Sequence, residues 1–194
     1  IKVYTDSQKN KTVKIKRPLN FKFTFDYGPK VDTIGNDKGQ KVKLKFKEKG
    51  SSEYSYLGDT SPGLFTTLYR KWFTPWIVET YDGDEKIWEH DFEQSLYRAK
   101  ICVSLDSSSL GDTLAWLPVV DKFREKYQAD LYATTFWNPL VTQFFPGIRF
   151  LNPGHRENST TATFGIGWYE EDNKNLHKRD PRTVSLQQIA GDIL

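Results

Sequence analysis

The sequence predicts an α/β protein in two parts. Residues 1–98 read as an all-β N-terminal domain, a small barrel or sandwich, and residues 99–194 as alternating strands and helices around a parallel sheet. Three observations carry this. Up to about residue 98, short runs alternate polar and apolar residues at period two, the mark of strands with one buried face. From residue 99, continuous apolar runs alternate with stretches of helical spacing. The 194 residues, 37% hydrophobic and 15% aromatic, give enough chain and apolar surface for one or two such units.

In the first part the strands are "TVKIKR", "LNFKFTFD", "QKVKLKFK", "SEYSYLG", "WIVETYDG" and "KIWEHDFE", separated by Gly, Pro, Asp and Asn. "YDGDEKIWEHDF" is a hairpin signal, with Asp82-Gly83 in the turn and aromatic residues on both arms. The acids Asp82, Asp84, Glu85, Glu89 and Asp91 match no calcium-loop spacing, so a turn and a solvated face account for them. Trp72, Trp76 and Trp88 suit either a sugar-stacking surface or a small β core, and sequence does not separate the two. The chain holds no internal repeat.

The second part opens on "AKICVSLD", an apolar run expected to be a strand covered on both faces. "TLAWLPVVDKFREKY" then sets Trp116, Val120, Phe123 and Tyr127 at helical spacing, with Pro118 expected to kink the helix or lie near its first turn. "ADLYATTF" is a second strand. "NPLVTQFFPG" is a short helix with Pro139 suited to its first turn, and "IRFLNPG" a third strand. "TATFGIGWYE" is a candidate fourth strand, and "DPRTVSLQQIAGDIL" a helix opened by Asp180 or Thr183. Strand–helix alternation implies right-handed crossovers, with ligands outside the carboxyl ends of the strands.

Charge and cysteine content narrow the partners. Twenty-eight Lys and Arg against 25 Asp and Glu leave a net charge of +3, with the lysines concentrated in the first fifty residues. There they alternate with Val, Ile, Leu and Phe, which fits solvated strand faces and edges better than a nucleic-acid surface. The single cysteine, Cys102, lies inside an apolar run and reads as core; no disulfide framework is possible within the chain, as suits a reducing compartment. No signal peptide or membrane span is legible. The chain starts at Ile1 and stops within a helical stretch, so it is expected to be the N-terminal portion of something longer.

Between the first parallel strand and its helix lies "SSSLGDT", residues 107–113. Gly111 permits a sharp turn and close approach of a ligand. Serine hydroxyls and free amides at a helix start suit an anionic or polyhydroxylated ligand, and Asp112 stands where the helix dipole favours a carboxylate. It lacks the glycines of a dinucleotide loop and the Gly-Lys-Ser/Thr of a phosphate loop. A helix cap and a general base both remain readings of Asp112. His90, His155 and His177 sit in no recognisable catalytic or metal-binding motif.

"SLGDT" in this position resembles the motif of bacterial heptosyltransferases, GT-B glycosyltransferases built from two Rossmann-like domains. Longer stretches, "RKWFTPWIVETYDGDEKIWEHDF", "SSSLGDTLAWLPVVDKFREKY", "TFWNPL", "FGIGWYEED" and "RDPRTVSLQQIAGDIL", are similar to the autotransporter strand-loop-strand O-heptosyltransferases. The likeness runs from roughly residue 65 to the end and is mostly architectural before that. It implies that the second part is the first Rossmann-like half, acceptor-side, of a GT-B enzyme, cut before its nucleotide-binding domain. Such an enzyme moves heptose from ADP-heptose to serines of an autotransporter adhesin, in the bacterial cytoplasm.

By that resemblance Asp112 is the general base. Ser108, Ser109, Gly111 and Thr113 shape the cleft floor, and Asn138 lies on its rim or caps the short helix. Arg182, with Arg179, contacts phosphate or an acidic acceptor, or belongs to a solvated loop. The transfer step needs no divalent metal. This chain is expected to hold no cofactor and to be inactive alone. The family's cysteine-ligated structural iron is expected only in the missing C-terminal part, and a homo-oligomer only of the full-length enzyme. Neither nucleic acid nor membrane insertion is expected. The competing reading is a non-catalytic binding or assembly module that uses its basic β domain on an acidic protein partner.

Overall fold

A computed structural model describes residues 18–167 and 177–194. The expected strand at 12–17 and the end of "TATFGIGWYE" at 168–170 lie outside the described residues. The strands are Asn20–Asp26 (β1), Pro29–Ile34 (β2), Val42–Glu48 (β3), Tyr54–Thr60 (β4), Phe65–Thr67 (β5), Trp76–Asp82 (β6), Glu85–Asp91 (β7), Lys100–Leu105 (β8), Asp130–Thr134 (β9), Arg149–Leu151 (β10) and Ala162–Ile166 (β11). The helices are Phe92–Ser95 (α1), Leu110–Tyr127 (α2), Asn138–Val141 (α3) and Leu186–Ile193 (α4).

The parallel strands β10, β9, β8 and β11 lie side by side as expected. The sheet does not stop at the expected boundary. β1 runs parallel to β11, with Phe25 opposite Ala162, and β2 and β5 extend the sheet antiparallel to seven strands. The division at residue 98 therefore falls within one sheet, and the described residues 18–98 do not form a barrel or sandwich of their own. The reason lies in the aromatic face of β1. Phe25 meets Phe164 of β11 at 4.7 Å and stacks on Phe92 at 5.2 Å, while Phe23 packs on Phe92 at 4.8 Å. A period-two pattern shows that a strand has one apolar face; it does not say which sheet will cover it.

The remaining β strands form a four-stranded antiparallel sheet in the order β4-β3-β6-β7. On β3, Val42, Leu44 and Phe46 point into the core while Lys43, Lys45 and Lys47 point out. The outward lysines lie over sheet tyrosines and acids: Lys45 Nζ is 4.1 Å from the Tyr81 ring, and Lys47 pairs with Glu79 at 3.0 Å. The β6–β7 hairpin turns through Gly83 and Asp84 between the paired Asp82 and Glu85, with Gly83 at φ 63° as such a tight turn requires. Trp76 is wholly buried against Phe46, and Trp88 packs on Phe21 and His90, so these tryptophans serve the core.

α2 is capped by Ser109, whose Oγ accepts the Asp112 N–H; it buries Trp116, Leu117, Val120, Phe123 and Tyr127 and ends at Gln128 in the left-handed region. Of the two places expected for Pro118, inside the helix or near its first turn, the structure has the first; the helix continues past it on the strength of the buried stripe. α4 is opened by Ser185. Asp180 instead caps a single 3-10 turn at 181–183, which corrects the expected start.

Among the described residues, helices cover only one face of the parallel strands. Phe123 of α2 contacts Phe164 at 5.5 Å, on the face shared by Ile101, Val103 and Leu105. The opposite face presents Cys102, Ser104, Tyr132 and Thr134, and the 152–161 connection packs there through Lys100–Glu157. The β8 strand is covered on both faces as expected, by a helix on one and by the 152–161 connection on the other, with Cys102 buried beneath it. Burial pushes the Cys102 thiol up, consistent with a packing role.

His90 is stacked between Phe23, at 4.8 Å, and Trp88, at 5.7 Å. Burial holds its imidazole below the ordinary 6.5, against the opposing pull of Asp91. The fold therefore binds the His90 proton less well than the unfolded chain. Its contribution is full above pH 6.5 and is lost as pH falls from there toward the lowered folded value. Urea denaturation at pH 7.5 and 5.5 is expected to show a lower midpoint at the acidic pH. His90→Gln should remove part of that drop; an equal drop in the variant would assign the effect elsewhere.

Candidate active site

The loop from Asp106 to Thr113 leaves the carboxyl end of β8 and enters α2. Asp106 N–H donates to Ile166 O at 2.8 Å, which ties the loop's start to β11. Ser109 N–H donates to Ser107 Oγ at 3.1 Å, and Ser107 Oγ donates to Asp112 Oδ2 at 2.7 Å. The incoming N–H occupies a lone pair of the Ser107 oxygen, which directs the hydroxyl proton toward the carboxylate. Asp112 lies in the first turn of α2, partly buried, with the positive end of the helix dipole behind it. The cap of the helix is Ser109, so of the two readings of Asp112 a helix cap is removed.

A second set of bonds locks this loop to the end of β9. Thr113 Oγ1 donates to Ser109 O at 3.2 Å and meets Thr135 Oγ1 at 3.2 Å. Trp137 N–H donates to Thr135 Oγ1 at 3.2 Å, and its indole Nε1–H donates to Ser108 O at 2.9 Å. Thr113 is wholly buried, so it braces the loop from beneath and does not face the cleft as expected. Asn138 gives its amide to Leu151 O at 2.8 Å and caps no helix: the cap position of α3 is Trp137. Arg182 pairs with Asp180 through Nε and Nη2, both at 2.9 Å, and holds that carboxyl down at about 2. Arg179 lies 3.5 Å from the buried Asp192.

Gly111 does not serve a sharp turn. It sits in the helix without a positive φ, and a Cβ there would meet nothing closer than Ser109 Oγ at 3.6 Å. A helical glycine costs about 1 kcal/mol against alanine. Among the described residues nothing lies close enough to Gly111 to require that cost, and the ground above it is open.

The site thus brings together Ser108, Ser109, Gly111 and Asp112 at the carboxyl edge, with Ser107, Thr135 and Trp137 as supports that sequence reasoning overlooked. "TFWNPL" was a signal for the last two; the Ser107–Asp112 bond spans five residues across a cap and has no spacing rule. Among the described residues no group of three or more His, Cys, Asp or Glu side chains is placed to hold a metal, and no helix is long and apolar enough to cross a membrane.

No family model matches the chain. In sequence it is 28% identical over 157 residues to the autotransporter heptosyltransferase Aah of Escherichia coli, a match covering 79% of this chain and 39% of Aah. It is 24% identical, over the same length, to the autotransporter heptosyltransferase TibC of Escherichia coli O78:H11, covering 38% of TibC. Its relatives are autotransporter heptosyltransferases. They include one described as inactive, BimC of Burkholderia thailandensis, 23% identical over 133 residues, or 66% of this chain and 31% of BimC. A crystal structure of dodecameric, iron-containing TibC in complex with ADP-D-beta-D-heptose matches with a TM-score of 0.78 at 22% identity. That match covers 91% of this chain and 46% of TibC, and shows that the two share a fold. The chain spans less than half the length of the relatives it matches.

Proposed function

We propose that this chain is the N-terminal, acceptor-side portion of a GT-B protein O-heptosyltransferase. Asp112 is its general base, and residues 99–194 contribute to a first Rossmann-like half. The observation that carries the reading is the Asp112 carboxylate, held by Ser107 at the carboxyl end of a parallel strand, in a chain whose relatives are heptosyltransferases. In the step proposed, the Oγ of an adhesin serine attacks the anomeric carbon of an ADP-activated heptose. The carbon–oxygen bond to the diphosphate breaks, ADP leaves with the electron pair, and Asp112 takes the serine proton as the new bond forms. Ser108, Ser109 and Gly111 border the reacting groups. Diphosphate charge would be offset by helix N-termini and basic groups of the missing domain, with no divalent metal.

The single cysteine is buried in β8, and the described residues assemble no metal ligands; an iron like that of TibC would belong to the C-terminal part. The portion alone is expected to be inactive, and the full-length enzyme to be a cytoplasmic homo-oligomer. Co-expression of that enzyme with its autotransporter adhesin tests the reading by intact mass. Increments of one heptosyl unit are expected; an adhesin of unchanged mass, with both proteins folded, would sink it.

A second reading, a non-catalytic assembly module, is favoured by the inactive relative and by apolar side chains beside the site. Leu114, Phe136, Leu140 and Phe144 are each about half exposed or more. It predicts the same unmodified mass together with a stable complex.

A further inference from the structure

The polar face of the parallel sheet, opposite α2, is not a flat surface. A cavity of 280 Å³ opens there between β8, β9 and the loops that follow β1 and β10. Its wall includes Tyr27, Ser104, Asp106, Thr134, His155 and Arg156. Strands buried in parallel sheets read as near-continuous apolar runs on both faces. Ser104 and its neighbour Thr134 break that rule side by side, in register, on the face that no helix of the described residues covers. The cavity lies outside the carboxyl ends of the strands, where open α/β sheets place their ligands.

The wall is internally organised. Thr134 Oγ1 donates to Ser104 Oγ at 3.1 Å, and Ser104 in turn donates to the Asp106 carboxylate. Tyr27 holds φ at 51°, a left-handed conformation that is unfavourable for a bulky aromatic residue. The strain is fixed by Tyr27 N–H donating to Thr163 O at 3.0 Å, and by Arg156 stacked 4.9 Å over the ring. Burial first, and the nearby Asp106 carboxylate second, raise the Tyr27 phenol above its ordinary 10, so the group keeps its proton and can donate at neutral pH.

The hydrogen-bonding inventory selects the ligand. Hydroxyls of Tyr27, Ser104 and Thr134 both donate and accept, Asp106 only accepts, and Arg156 only donates. An anion would meet Asp106, and a cation would meet Arg156, which also leans on Asp26 at 3.5 Å. Vicinal hydroxyl groups match donors and acceptors of both kinds without adding charge. The volume lies just below that of cavities holding drug-sized molecules, about 300–1,000 Å³, and so admits a single sugar ring.

We propose that this cavity binds a neutral, polyhydroxylated group of monosaccharide size. The proposal does not depend on Asp112 acting as a base, because it concerns binding by a different set of side chains on the other face of the sheet.

The test titrates this chain with a methyl hexopyranoside and with a methyl D-heptopyranoside, with neither nucleotide nor adhesin present. Saturable amide shifts confined to residues 27, 104–106, 134 and 154–156 are expected, with a Kd of about millimolar for so small a ligand. Asp106→Asn and Thr134→Val should each weaken that Kd about ten-fold while distant amide signals stay in place. Were one variant to disturb the sheet, the other would still report. Absence of saturable shifts at tens of millimolar overturns the proposal. So do shifts that survive both substitutions, and so does tighter binding of inorganic phosphate or free lysine at the same residues. Failure of heptose transfer in the full-length enzyme would leave these outcomes unchanged.

Discussion

Replacing Asp112 with alanine in the full-length enzyme is expected to lower sugar transfer at least about 100-fold, the lower bound for losing a positioned general base. The fold should be unaffected. Asp112 N–H donates to the Ser109 cap through its backbone, and the side chain is only partly buried. Donor binding should also persist, since in the step proposed Asp112 meets the acceptor hydroxyl and not the donor. Ser107→Ala is expected to give an intermediate loss of about ten-fold in kcat with the acceptor KM little changed, because the carboxylate then loses the 2.7 Å bond that orients it. Ser107→Thr keeps a hydroxyl and should recover most of the rate. Initial rates with adhesin and ADP-heptose measure all three. Near-normal transfer by the Asp112 variant would remove that residue from the mechanism. Loss in that variant with no effect at Ser107 would remove only the positioning role.

Phe92→Ala is expected to destabilise the chain by about 3–5 kcal/mol, the range for deleting a buried aromatic ring. Phe92 is wholly buried and sits where the two sheets meet. It contacts Phe23 and Phe25 of the seven-stranded sheet and Phe73 of the segment leading into β6, all at 4.8–5.8 Å. Because β1 belongs to the same sheet as β8 and β11, the loss should be shared: urea unfolding followed by backbone circular dichroism and by tryptophan fluorescence should move together to a lower midpoint. Separate transitions, with only one shifted, would show that residues 1–98 fold as an independent unit after all.

Much of the site was legible before any coordinates. The apolar run 99–106, the polar break and the helical stripe Trp116–Val120–Phe123–Tyr127 are local patterns, and they place Asp112 at a strand's carboxyl end. The likeness to heptosyltransferases was legible in longer stretches, and the relatives bear it out. What escaped were relations between distant segments. Thr113 was expected in the cleft, but its hydroxyl meets Thr135, twenty-two residues away. For Arg182 the sequence allows contact with phosphate or an acidic acceptor, or a place in a solvated loop. Its guanidinium closes on Asp180 two residues away at the surface, which fits the last, a local pairing whose geometry the sequence does not show.

By itself the sequence determined most of the strands and helices (though not β2, β5 or α1), the apolar face of the strongly periodic ones, and where the parallel part presents a carboxylate. Those properties depend on neighbours within a few positions of one another, set by the 2.0 and 3.6 periods of the backbone. Only the tertiary structure decided that β1, β2 and β5 join the parallel sheet, that Ser107 orients Asp112, and that Tyr27 and Arg156 close a polar cavity over β8 and β9. Each of those depends on where a side chain's unpaired donor or uncovered ring finds its partner in space. An apolar or hydrogen-bonding face states a need without naming what will meet it, and the choice is made only when the whole chain packs.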